Sequence, residues 1–68
     1  MTYRDIEIEF YHSKIDEKKW SHGWKAQVNG HAYEGYLTTD FDADAVALEQ
    51  IGRVLEDHAK LTIDNALN

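Results

Sequence analysis

The sequence predicts an α+β domain: a three-stranded antiparallel sheet in β-β-β-α order, with one C-terminal helix packed on one face. Three observations carry this. Residues 3–12, YRDIEIEFYH, alternate between apolar and polar. Asn29-Gly30 stands between two further alternating segments. From Phe41 to Ala59, apolar residues recur at steps of three and four. Period two marks half-buried strands, and a period near 3.6 marks an amphipathic helix.

In the first strand Ile6, Ile8 and Phe10 point one way, and Asp5, Glu7, Glu9 and Tyr11 the other. Residues 13–19, SKIDEKK, are charged and aperiodic, so they are expected to form a loop. Residues 20–37 form the hairpin. Asn and Gly tolerate the positive φ that both central positions of a type I′ turn require. With Asn29-Gly30 as the turn, Val28 faces His31, Ala26 faces Tyr33 and Trp24 faces Gly35. On the other face Lys25 falls opposite Glu34, and Gln27 opposite Ala32. An aromatic over a glycine and a lysine opposite a glutamate are both favourable cross-strand pairs.

The helix is expected from about Asp42 to about Leu61. Its apolar stripe is Phe41, Ala45, Leu48, Gly52, Leu55 and Ala59, widened by Ile51 and His58. Glu49–Arg53 and Glu56–Lys60 are i, i+4 pairs with the acid first, the better orientation. The last residues, TIDNALN, fit a frayed continuation, a short second helix or an extra strand. The predicted core joins Ile6, Ile8, Phe10, Trp24, Val28, Tyr33 and Leu37 to Phe41, Leu48, Ile51 and Leu55.

The totals narrow the function. A chain of 68 residues is one domain. The absence of cysteine excludes disulfides and thiolate zinc sites. Thirteen acidic residues against seven basic ones give a formal charge of −6, which repels nucleic acid phosphates unless the bases cluster. The only local group, Lys14, Lys18 and Lys19, has Asp16 and Glu17 among it. No apolar run approaches a membrane span, and the N-terminus lacks the order of a secretion signal. A cytoplasmic protein with no membrane contact is the expectation.

The segment TDFDADA sets Asp40, Asp42 and Asp44 on alternate positions, as some calcium loops begin. Counted from Asp40, the sixth position is Ala45 and the twelfth Ile51, where the loop needs glycine and glutamate. Helix capping explains the acids instead, with Asp40 or Asp42 accepting from a free N–H of the first turn. None of His12, His22, His31 and His58 has paired ligand spacing. No hydroxyl or thiol has an evident base and orienting acid, and no glycine-rich phosphate loop occurs. No catalytic, cofactor-binding or metal residues are expected.

Two stretches carry a family resemblance. Gly23–Val28, GWKAQV, resembles the glycine–aromatic strand start of HicB-type antitoxins, and Asp42–Asp57, DADAVALEQIGRVLED, resembles their helix. The strand–strand–strand–helix order is similar to their partial double-stranded-RNA-binding fold. The proline–glycine segment of that family is missing, since the chain has no proline. No functional residue is carried over, and a shared fold does not define function.

The sheet face away from the helix is the expected functional surface. With Trp20, which either covers the core edge or anchors a partner, it comprises Glu7, Glu9, Tyr11, Trp20, Lys25, Gln27, Glu34 and Tyr36. The expectation is a non-enzymatic acidic interaction module that binds a protein partner, with a homodimer through the open sheet face as one form. An acidic regulator that blocks a basic protein surface, antitoxin-like or a nucleic-acid mimic, is the alternative. A weak nucleic-acid binder is the second alternative.

Overall fold

A computed structural model describes all 68 residues. Four strands precede the helix: β1 (Thr2–Tyr3), β2 (Ile6–Asp16), β3 (Lys19–Val28), β4 (His31–Thr39) and α1 (Ala45–Leu67). They form one antiparallel meander in the order β1-β2-β3-β4. The α+β class and the C-terminal helix stand, but the sheet has four strands where three were expected.

The extra strand arises because residues 3–12 are not continuous. Arg4 and Asp5 have φ of 52° and 65° and form a two-residue turn closed by Tyr3 and Ile6. Neither residue advertises a left-handed turn as Asn-Gly does. Tertiary contacts hold it: Arg4 donates to Asp64 at 2.9 Å and the Tyr3 hydroxyl donates to the same carboxylate at 3.0 Å.

The expected loop at 13–19 is also a correction. β2 continues to Asp16 and β3 begins at Lys19, with a register shift between Lys14 and Asp16 that leaves Ile15 as the extra residue. The bulge breaks the alternation that would have marked this stretch as strand. The Asn29-Gly30 hairpin forms as expected, with φ of 53° and 82°. Its register pairs Val28 with His31, Ala26 with Tyr33, Trp24 with Gly35 and Lys25 with Glu34.

The helix starts later and ends later than predicted. Asp44 is the N-cap, accepting from the Ala47 N–H at 2.8 Å, so neither Asp40 nor Asp42 is the cap. Asp42 instead accepts from Trp20 Nε1 at 2.6 Å, tying the helix entry to the start of β3. TIDNALN continues the helix. Thr, Asp and Asn are indifferent helix formers, but packing outweighs propensity. Ile63 falls on the same face as Leu55 and Ala59 and is fully buried, while Asp64 is held by Tyr3 and Arg4. His58 consequently lies mid-helix, not near its C-terminus.

The core is Ile8, Trp24, Ala26, Val28, Leu55, Ala59 and Ile63, with Tyr3, Ile6, Tyr33, Leu37 and Ile51 packed against it. Phe10, Phe41 and Leu48, expected inside, are exposed. The helix lies over β3 and β4. A cleft lined by Phe10, His12, Gly52 and Arg53 separates it from β2, so Phe10 misses the helix. At the centre Trp24 is fully buried and lies against Gly35. Its indole N–H donates to His58 Nδ1 at 3.1 Å. A Cβ on Gly35 would stand 2.6 Å from the His58 ring, so only glycine lets the Trp24–His58 pair sit on the sheet.

Candidate functional site

The strand registers set which side chains share the face away from the helix. Three cross-strand rows run over it. Glu9, Lys25 and Glu34 form the first. Tyr11, Gly23 and Tyr36 form the second. Ser13, Ser21 and Thr38 form the third. Each row arises because both hairpins place even-numbered β3 residues under the helix and odd-numbered ones outward.

The tyrosine row has the most specific geometry. A Cβ on Gly23 would overlap the Tyr11 ring, so the ring lies directly across the glycine backbone and is half-buried there. Tyr36, on the other side of Gly23, is 70% exposed. An aromatic that exposed, beside a backbone with no side chain, offers a flat apolar contact and a hydroxyl.

The charged row is only partly neutralised. Lys25 Nζ bonds Glu9 at 3.3 Å, and Glu34 across from it has no ion-pair partner. Farther along, Glu7 accepts from the Thr2 hydroxyl at 2.8 Å and from the N-terminal ammonium at 3.2 Å. Those two bonds hold its carboxyl below the usual range, the Thr2 bond most strongly. Glu7, Glu9 and Glu34 therefore stand around Lys25; Glu7 and Glu9 each have a cation and Glu34 has none, so the charge left over here is acidic.

Of the residues expected on this surface, Glu7, Glu9, Tyr11, Lys25, Gln27, Glu34 and Tyr36 share it. Trp20 does not. Its strand parity puts it on the helix side, where its ring stacks beside His22 at 6.5 Å and its N–H is taken by Asp42. It lies beside the helix entry.

One polar chain lies outside the expected surface. His12 Nδ1 stands 2.6 Å from His22 Nδ1, and His22 Nε2 stands 3.0 Å from Thr39 Oγ1. The Thr39 hydroxyl in turn reaches the Phe41 carbonyl at 3.4 Å. One arrangement satisfies every group: His12 donates to His22, His22 to Thr39, and Thr39 to Phe41. His22 is 1% exposed, and burial first, with His12 second, pushes its pKa down. This chain stitches β2, β3 and β4 together at the helix entry. It has no carboxylate to orient it, and its hydroxyl is already engaged. His12 and His22 become cross-strand neighbours only once β2 and β3 are paired through residues 13–19. Elsewhere, no three His, Asp or Glu side chains converge on a metal-binding geometry.

No helix is long and apolar enough to cross a membrane. Compared with protein-family models, curated proteins and solved structures, the chain matches none.

Proposed function

We propose that this protein is a non-enzymatic interaction module that binds a protein partner on its open sheet face. The observation that carries the proposal is the Tyr11–Gly23–Tyr36 row, with Tyr36 projecting from a face that no other element covers. Tyrosine presents a large contact area at little entropic cost. The acids around Lys25 define the partner's chemistry: a surface with arginine or lysine beside an apolar patch. Two copies placed face to face would set like charge against like, so electrostatics favours a different protein over a second copy here.

An acidic regulator that masks a basic functional surface is the same interaction seen from the partner's side, and the unpaired Glu34 supports it. Direct nucleic-acid binding has less support. Arg4, Lys25, Arg53 and Lys60 are each held by an acid, leaving Lys14, Lys18 and Lys19 at one hairpin end.

Affinity capture from native cells with wild type and with Glu9→Lys/Glu34→Lys tests the proposal. A basic-surfaced protein held by wild type, resistant to nuclease and lost in the charge reversal, is the expected result. Retention unchanged by the reversal, or recovery of nucleic acid alone, would sink it.

A further inference from the structure

The two edges of the sheet are built differently. Along β2, Met1 and β1 cover the first part, with Ile8 N–H donating to the Met1 carbonyl at 2.7 Å. Beyond them the edge is open at Phe10 and His12, then interrupted by Lys14, the irregularity at Ile15, and Asp16, features that discourage strand pairing. The β4 edge has none of these. His31–Thr39 pairs with β3 without interruption, contains no lysine or proline, and carries one charge, Glu34.

The hairpin fixes which β4 backbone groups are free. Its closing pair, Val28–His31, exchanges hydrogen bonds, and bonding alternates along an antiparallel ladder. The N–H and C=O groups of Ala32, Glu34, Tyr36 and Thr38 therefore point away from β3, into solvent.

The helix flank above this edge carries two exposed apolar residues among polar ones. His58 reaches Gly35 on β4, whereas Arg53 and Glu56 line the cleft on the β2 side. Helical geometry places Val54 and Leu61 on the His58 flank, at i−4 and i+3. They are 57% and 60% exposed.

We infer that a second copy of this chain pairs with the β4 edge, antiparallel, about a two-fold axis at Gly35. That register sets Glu34 opposite Tyr36 of the other copy, and Ala32 opposite Thr38. Each outward N–H meets a C=O. On the helix side it sets Tyr33 against Leu37, two half-buried apolar residues, across the axis. A slip that centred the axis on Glu34 would oppose two glutamates, so charge disfavours it. Strands lie about 4.8 Å apart, so helices over β3 and β4 would stand roughly 10–14 Å apart in the dimer. Packed helices stand about 8–10 Å apart, so Val54 and Leu61 are placed to bridge between the two copies. The result is one eight-stranded sheet with a helix pair on one side and two acidic tyrosine-bearing surfaces on the other. The edge pairing rests on β4 backbone groups and leaves the open face uncovered, with Glu34 and Tyr36 flanking the seam, and Thr38→Pro, which touches neither, separates its failure from that of the open-face reading.

Amide exchange by NMR on the full chain, at micromolar and millimolar concentration with parallel sedimentation velocity, tests this. At high concentration a dimer is expected, with the Ala32, Glu34, Tyr36 and Thr38 amides slowed about tenfold or more relative to dilute protein. Those of Tyr33, Gly35 and Leu37 stay slow at both. Thr38→Pro, which removes only an outward N–H, and Val54→Glu/Leu61→Glu should each weaken the dimer about tenfold or more with circular dichroism unchanged. Tyr11→Ala should leave it intact. A monomer at every concentration overturns the inference. So does a dimer whose outward amides stay fast, or one lost in Tyr11→Ala and kept in Thr38→Pro.

Discussion

The same motif occurs on both faces of this sheet, with opposite consequences. Under the helix, Trp24 lies against Gly35 on the neighbouring strand. On the open side, Tyr11 lies across Gly23. In each case a glycine lets an aromatic ring settle onto backbone. The Trp24 ring is then sealed by His58 and is fully buried. The Tyr11 ring is half-buried, with the exposed Tyr36 alongside. The first pair is held on every side and fixes the fold. The second is held from below only, leaving its outer surface free for another molecule. What lies above the ring, not the pairing itself, separates a stabilising site from a binding site.

The sharpest way to break that contrast is to remove one aromatic. Trp24→Ala should cost about 3–5 kcal/mol in urea unfolding, because it leaves a cavity and strands His58. Lys25→Ala, one residue along and on the other face, should stay within about 0.5 kcal/mol, as exposed ion pairs contribute little.

The glycines give a smaller test of the same kind. Gly35→Ala should cost about 2–3 kcal/mol, since neither the Trp24 nor the His58 ring has space to retreat. Gly23→Ala should cost less, about 1–2 kcal/mol, because the Tyr11 ring can swing out into solvent and only the Gly35 carbonyl oxygen, 2.9 Å from the added Cβ, must give. Equal losses at the two positions, measured by thermal unfolding, would mean that the open face is held as tightly as the core.

Two further predictions concern the helix-entry end. The His22 pKa is lowered in the folded chain, so protonation favours the unfolded state. Stability should be full above the ordinary histidine pKa near 6.5, and fall as the pH drops from there toward the lower folded value. His22→Gln should flatten that slope in unfolding curves recorded between pH 7 and 5. Asp44→Ala should cost about 1 kcal/mol through loss of the cap, with Asp40→Ala close to neutral.

The chemistry of individual residues explains how far the sequence could be read. The Asn29-Gly30 turn carries its own signal, and the register drawn from it holds pair for pair from Val28–His31 to Trp24–Gly35. The open face follows from that register and from the alternation of Glu7, Glu9 and Tyr11. The Arg4-Asp5 turn was illegible because its left-handed backbone is held through the Arg4 and Tyr3 side chains by Asp64, some sixty residues away, and carries no local turn signal. The β2–β3 turn was hidden by the bulge at Ile15, and with it the pairing of His12 with His22. Trp20 has the parity of the helix side, and its bond to Asp42, twenty-two residues away, is what places it at the helix entry. The helix overran its expected end because Ile63 enters the core through polar neighbours that composition alone marks as frayed.

The most direct test of the two-face account is urea unfolding of Tyr36→Ala combined with partner capture by the same variant. Loss of the captured partner is predicted, with unfolding free energy within about 1 kcal/mol of wild type, the span of a strand substitution on an open face. A loss of about 3 kcal/mol or more, as for a core aromatic, with capture unchanged, would contradict the account.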